Sequence, residues 1–268
     1  MAEYQIAVCG GIVPDPLQTL EPVTTPAGPG LKNELMLPSV LDPWAGHALY
    51  EAAHLAKAHP GSKVYLVSVA PKAKLQQLMM AIAQKVPFEL VAVDAPAGGF
   101  ADSATVAEAL AGAIESIPGL DKSKLLVFGG CASASRDAGT TLQRLCERLG
   151  IGDFFMGVDE LKMAPDGSFE LLERIEGGAY LKSRCAGAPA VIGWATGNLP
   201  EPPNNPQVGM ANMRLIMPAL MKARKAEITT GSIVYSQVEV PSAKRETRIE
   251  KNLSAQEIAE ELAAWIKA

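Results

Sequence analysis

Small and hydroxyl-bearing residues crowd into one stretch, Gly129 to Thr141, which reads GGCASASRDAGTT. Small residues let backbone N–H groups approach a phosphate, and Ser133, Ser135, Thr140 and Thr141 offer hydroxyls. A helix that follows would aim its positive end at the same place. A plain strand-to-helix turn with a cap has the same composition, so the residues alone leave both readings open. Other chemistry is sparse. Neither a GxxxxGK[ST] loop nor a GxSxG elbow occurs, which excludes a P-loop NTPase on its defining motif. The three histidines are His47, His54 and His59. The first two stand two helical turns apart, roughly 10 Å along the axis, too far to share a metal directly. Carboxylates are scattered and none forms a pair that the sequence places together, so acid–base catalysis has no footing. The expectation is a binder, not a catalyst.

The elements that must position this loop are legible as apolar periods. Tyr4 to Val8, closed by Cys9-Gly10-Gly11, reads as a buried strand, and further strands are expected at Val64 to Val69, Glu89 to Val93 and Leu125 to Phe128. Helices separate them: one opened by Asp42-Pro43, one over Leu75 to Ile82, one capped by Asp102, and one carrying Leu142 to Leu149. Alternation at this spacing predicts right-handed crossovers and a mainly parallel sheet covered on both faces. Ligands of such sheets sit beyond the carboxyl ends of the strands. That edge is built here from Cys9-Gly10-Gly11, Ser68-Val69-Ala70 and Gly129-Gly130-Cys131. From Phe154 the pattern shifts to hairpin strands, Leu161 to Met163, Phe169 to Ile175 and Tyr180 to Lys182, with a last strand at Ala190 to Trp194.

Two stretches have no place in that sheet. Leu199 to Ile228 opens with prolines that argue against regular structure at its start, then gathers Met210, Met213, Leu215, Ile216, Met217, Leu220 and Met221. Pro218 suits the first turn of a short helix there. Either a long loop ends in a core helix, or the stretch binds a partner. Ile228 to Arg248 reads as a polar extended arm. It ends in an amphipathic helix that Ser254 and Glu257 open as a capping box, with Ile258, Leu262, Trp265 and Ile266 on one face.

A net charge of −5 and a pI near 5.4, with no basic stripe interleaved with aromatics, argue against nucleic acid as the ligand. No apolar run reaches the roughly 18 residues of a membrane span, and the N-terminus lacks the basic start of a signal peptide. Cys9, Cys131, Cys146 and Cys185 form no CxxC pair, so a reduced, cytoplasmic protein is expected, with Cys9 and Cys146 as small core hydrophobes.

At this point the chain resembles the beta (small) subunit of electron transfer flavoproteins. The resemblance rests on Val13-Pro14-Asp15, on Asp42-Pro43-Trp44 with Tyr50-Glu51-Ala52, on Val67-Ser68, and on Gly177-Gly178. Above all it rests on Leu199-Pro200-Glu201-Pro202 followed by Met217-Pro218-Ala219-Leu220-Met221-Lys222-Ala223-Arg224-Lys225. It implies a Rossmann-like domain, adenine nucleotide alpha hydrolase-like, over residues 1–198, with added antiparallel strands. A partner-recognition loop and helix over 199–228 and a C-terminal arm and helix over 229–268 would follow, the last clasping an alpha subunit. That heterodimer would share FAD, held mostly by the alpha subunit, and would carry electrons between flavin dehydrogenases, such as acyl-CoA dehydrogenases, and a further acceptor.

AMP is implied too. Its contacts would come from Cys9, Asp42, Pro43, Trp44, Ala45 and Val69, and from the run Gly130, Cys131, Ala132, Ser133, Ala134, Ser135, Arg136, Asp137, Ala138, Gly139, Thr140 and Thr141. Dehydrogenase docking would fall to Met217, Pro218, Leu220, Met221 and Lys222, with Met217 as anchor. The alternative is a stand-alone adenine-nucleotide-binding α/β protein of the universal-stress or nucleotide-hydrolase type, which leaves the recognition stretch and the arm without a task.

Overall fold

The computed structural model describes residues 3–25, 28–96, 98, 100–134, 139–239 and 247–267. The chain forms two compact units, 1–237 and 238–268. The first begins with β1 (Gln5–Cys9), then β2 (Ile12–Pro14), a hairpin of β3 (Pro22–Thr25) and β4 (Gly28–Leu31), and β5 (Ser39–Leu41). The alternating body follows as α1 (Pro43–Ala58), β6 (Lys63–Ala70), α2 (Lys72–Ile82), β7 (Glu89–Asp94), α3 (Ser103–Glu115), β8 (Leu125–Gly130) and α4 (Thr141–Leu149). After it come β9 (Phe154–Met163), β10 (Phe169–Arg174), β11 (Tyr180–Cys185), β12 (Ala190–Trp194), α5 (Pro206–Met221) and β13 (Arg224–Lys225).

One sheet organises the unit, in the order β11-β10-β9-β12-β8-β1-β6-β7-β13. All neighbours from β9 to β13 run parallel, and β10 adds antiparallel pairs to β9 and β11. This is a Rossmann-like sheet with the expected antiparallel extension. Its two faces can be read off β1. Ile6 and Val8 belong to one buried layer with Leu49 of α1, Met79 of α2 and Leu220 of α5, while Ala7 belongs to the other with Leu110 of α3 and Leu145 of α4. Successive side chains alternate across a strand, so a strand covered on both faces has to be apolar throughout. Cys9, Cys146 and Cys185 are buried free thiols.

Three local expectations change. The strand expected at Leu161 begins seven residues earlier in the structure, at Phe154, and pairs with β12 on one side and β10 on the other. The Met-rich stretch is one helix, α5, of 16 residues. Its prolines do not oppose it: Asn205 caps the start by accepting from the Gln207 and Val208 amides, and Pro206 takes the first position, where no N–H is needed. Pro218 therefore stands inside the helix, not at the start of one. The arm also begins on the domain. The Ala226 amide donates to Asp94 O at 3.2 Å, the Asp102 amide donates to Thr229 O at 2.7 Å, and Ile228 packs into the α3–α4 layer.

In the second unit, α6 (Ala255–Lys267) opens on the expected capping box. The Glu257 amide donates to Ser254 Oγ at 3.3 Å and the Ser254 amide to Glu257 Oε2 at 2.8 Å. Ile258, Leu262, Trp265 and Ile266 are exposed on it.

Helix α5 is fixed to the sheet by one buried amide. Asn212 Nδ2 donates to Ala83 O at 2.8 Å and Val86 O at 2.7 Å, and its Oδ1 accepts from the Phe88 amide at 3.4 Å. These are groups left over where α2 ends and β7 has not begun. Asn212→Leu leaves all three buried and unpartnered, and is expected to lower unfolding stability by about 2–4 kcal/mol. Urea denaturation of the two proteins checks this, and an unchanged midpoint would refute it.

Candidate functional site

A cavity of about 210 Å³ opens at the carboxyl edge of the sheet. Strands β1 and β8 are neighbours there, while the chain leaves them toward opposite faces, from β1 to the layer of α1 and from β8 into α4 on the other face. Such a reversal leaves a crevice above the strand ends. The residues at the starts of these helices, Ala45, Lys74, Ser103 and Thr141, all line it, so partial positive charge converges on one space.

The crevice is kept open by specific contacts. Asp42 is buried and uses both carboxylate oxygens: Oδ1 accepts from the Trp44 amide at 3.0 Å, capping α1, and Oδ2 accepts from the Ala134 amide at 2.9 Å, holding the loop after β8. Burial pushes this carboxyl up, and the amides of Ala134 and Trp44 pull against that shift. Gly130 runs so close to α1 that a Cβ there would collide with Trp44. Gly139 has φ +62°, and a Cβ on it would stand 2.8 Å from Cys131 O. Thr140 Oγ1 meets Ser103 Oγ at 2.9 Å, joining the starts of α3 and α4. Ser68 Oγ donates to Gly10 O at 2.6 Å and ties β6 to the β1 turn.

Of the residues expected to hold a nucleotide, Cys9, Asp42, Ala45 and Val69 line the cavity, as do Gly130, Ala132, Ser133, Gly139, Thr140 and Thr141. Pro43, Trp44, Cys131 and Ala134 do not line it: Trp44 stands against Gly130, Ala134 lends its amide to Asp42, and the Cys131 amide donates to Trp194 O at 2.8 Å. Ser135, Arg136, Asp137 and Ala138 lie outside the described residues. Sequence reasoning missed Glu34, Lys74, Ser103, Val106 and Leu110. Ser103 and Lys74 carried a positional signal, since each falls in the first turn of a helix that follows a strand. The apolar pair Val106 and Leu110 offers a flat base a dry wall, while the loop amides and hydroxyls suit an anionic end. Burial pushes the Cys9 thiol of the cavity up to about 12, which disfavours its nucleophilic thiolate form. No cluster of three or more metal-ligating side chains occurs among the described residues.

A second region lies where β12 hands over to α5. Asp159, fully buried, accepts from Arg174 Nε and Nη2 at 2.9 and 3.0 Å, from Tyr180 Oη at 3.0 Å and from the Thr196 amide at 3.2 Å. Glu51 of α1 then accepts from the Asn198 and Leu199 amides at 3.0 and 3.1 Å, and His54 Nε2 donates to Pro200 O at 3.0 Å. Lys85 pairs with Glu201 at 2.5 Å. The helix so positioned turns Met210, Arg214, Met217 and Met221 to one exposed face, and Asn212, Ile216 and Leu220 inward. Of the residues expected to dock a partner, Met217, Met221 and Lys222 are exposed, Pro218 shares their end of the helix, and Leu220 is in the core. Leu220 is four residues from Ile216, which puts both on the inner face.

The family model for the electron transfer flavoprotein domain matches residues 33–233 of the chain. This span takes in the cavity lining from Glu34 onward, every strand from β5 on and all of α5, and the chain belongs to the electron transfer flavoprotein family. Members of that family are electron carriers that work with dehydrogenases. No curated protein matches the chain. Among the described residues, no helix is long and apolar enough to cross a membrane.

Asp159 yields a pH prediction. Burial pushes its carboxyl up, but the hydrogen bonds from Thr196, Tyr180 and Arg174 outweigh this and hold it below the usual carboxylate range. The stability it contributes is complete above the unfolded-state value of about 3.9 and is lost as pH falls through the lower folded value. Asp159→Asn should therefore cost about 1–3 kcal/mol at neutral pH, the figure discounted because Arg174 is half exposed. Between pH 7 and 5 the gap from the wild-type protein should stay constant, and below about pH 4 it should narrow. Denaturation midpoints across this range test it, and a gap that widens in acid would contradict the assignment.

Proposed function

We propose that this chain is the beta subunit of a heterodimeric electron transfer flavoprotein, passing electrons from flavin-dependent dehydrogenases, such as acyl-CoA dehydrogenases, to a further acceptor. FAD, held mainly by the alpha subunit, supplies the electron-carrying chemistry of the complex. AMP occupies the crevice at the sheet edge, its base against Val106 and Leu110 and its phosphate among the amides around Gly139 to Thr141. There it fastens β1, α1 and the loop after β8 together and takes no part in electron transfer. The arm from residue 229 onward, with α6, clasps the alpha subunit.

The observation that carries this reading is the outer face of α5. In a family member whose core is already closed, Met210, Met217 and Met221 stay exposed along one helix whose inner side is fixed by Asn212. Exposed methionines grouped on a rigid element fit the docking of a partner, since their flexible side chains repack against different surfaces. The stand-alone nucleotide-binding alternative gives this face no task.

The test is expression of the chain with an alpha subunit from the same organism. Flavin absorbance is expected only in a copurifying complex, and ATP hydrolysis by the isolated chain, with no flavin in any complex, would decide for the alternative. Within the complex, Met217→Ala should weaken docking of the dehydrogenase by ~1–3 kcal/mol with flavin content unchanged. Leu220→Ala should act differently, lowering stability by about 2–5 kcal/mol through a core cavity. Stopped-flow electron transfer and thermal unfolding separate the two effects. Equal electron-transfer rates in wild-type protein and Met217→Ala would remove α5 as the docking element.

A further inference from the structure

Among the described residues two lysines, Lys74 and Lys85, are half-buried; the others are exposed. Lys85 has Glu201 at 2.5 Å. Lys74 has no ion-pair or hydrogen-bond partner for its ammonium among the described residues, and it lines the cavity. Even partial desolvation of an ammonium is unfavourable, and an anion in the same space compensates it.

The surroundings say what that anion is not. Two carboxylates line the same cavity, Glu34 and Asp42. Asp42 is committed through both oxygens to the amides of Trp44 and Ala134. The Glu34 carboxylate is directed to the Leu31 amide, at 3.5 Å. Lys74 is the one cation among the described lining residues. Its own helix adds to the positive potential: at the start of α2 the Lys72 amide is taken by Asp94 Oδ1 at 2.9 Å, and Pro71 supplies no side-chain cap. The amides of Ala73 and Lys74 follow in the first turn, where the helix itself offers no acceptor. Lys74, at the start of α2, thus lines the same cavity as Gly139, Thr140 and Thr141.

We infer that Lys74 is the phosphate-pairing residue of this cavity and makes it select a nucleotide over its nucleoside. The inference rests on the reading of the cavity as a nucleotide site. It adds that the ligand's charge is met by a side chain of α2, in addition to the loop after β8. Met replaces the aliphatic stem of the lysine without its charge, so Lys74→Met should remove the phosphate contact and leave the base pocket intact.

The experiment is calorimetric titration of AMP and of adenosine into the full chain, in complex with its partner subunit where the two copurify, after any copurifying nucleotide has been removed. Wild-type protein is expected to bind AMP more tightly than adenosine. Lys74→Met should lose AMP affinity by roughly ten- to a hundredfold, the range of a charged hydrogen bond, while binding adenosine as before. Lys74→Arg should recover most of the loss. AMP affinity unchanged in Lys74→Met would overturn the role of Lys74 and leave the nucleotide site standing. Equal loss of AMP and adenosine in Lys74→Met would overturn it as well, by assigning the lysine to packing. Failure of the wild-type protein to bind either compound would instead bring down the nucleotide reading, and the inference with it.

Discussion

One buried carboxylate sets the geometry of the sheet edge. Asp42 caps α1 with one oxygen and holds the backbone of the loop after β8 with the other. Its burial is unfavourable for charge, and two backbone donors offset that cost at the point where two chain segments must diverge. Gly130 fits under Trp44, at the start of the same helix, only because it has no Cβ. The crevice is therefore a consequence of chain direction, fixed by one cap and one close glycine contact. Its lining is free to vary around that frame.

Helix α1 also connects the two regions. Asp42 at its start shapes the cavity, and Glu51 and His54, two to three turns on, hold Asn198, Leu199 and Pro200 of the crossover. The separation along the axis is about 14–18 Å at the rise of an α-helix. Burial pushes the Glu51 carboxyl up while the two amides oppose it, the same balance that Asp42 strikes. The crossover needs such anchors because it contains Pro200, Pro202 and Pro203, which offer no N–H for a regular ladder. Side chains of α1 and β9 replace the missing backbone pairing. Helix α5 then starts from a fixed point, so a partner meeting its outer face would not have to order it first.

Much of this was legible in the residues. The alternation of strands and helices followed from apolar runs such as Leu125 to Phe128, because a strand buried on both sides cannot hide its composition. Asp42 and Asp102 were readable as caps because a short acid before a helix has few other uses. The extent of α5 was not. Pro206 looks like a breaker and Pro218 like the first turn of a shorter helix, and only the cap at Asn205 shows that the helix starts at the first of them. Whether Leu220 faces in or out depends on the helix phase, which a wrongly placed start shifts. Long-range placement was the other limit: Lys74 sits in an unremarkable basic run, PKAK, and acquires meaning only when α2 brings it to the rim that β1 and β8 define.

The division of labour in the molecule follows from where charge is neutralised and where it is not. Around the cavity the described carboxylates have backbone partners, and burial pushes the Cys9 thiol up. On α5 the reverse economy applies to apolar surface. Asn212, Ile216 and Leu220 complete the inner packing, which leaves the outer methionines without a structural role of their own. A helix needs only one apolar side to be held against a sheet. A second apolar side adds nothing to that hold, and contacts outside the domain are one requirement that would account for it. An electron carrier has that requirement, because it must form and release contacts with the proteins it serves without disturbing its own fold.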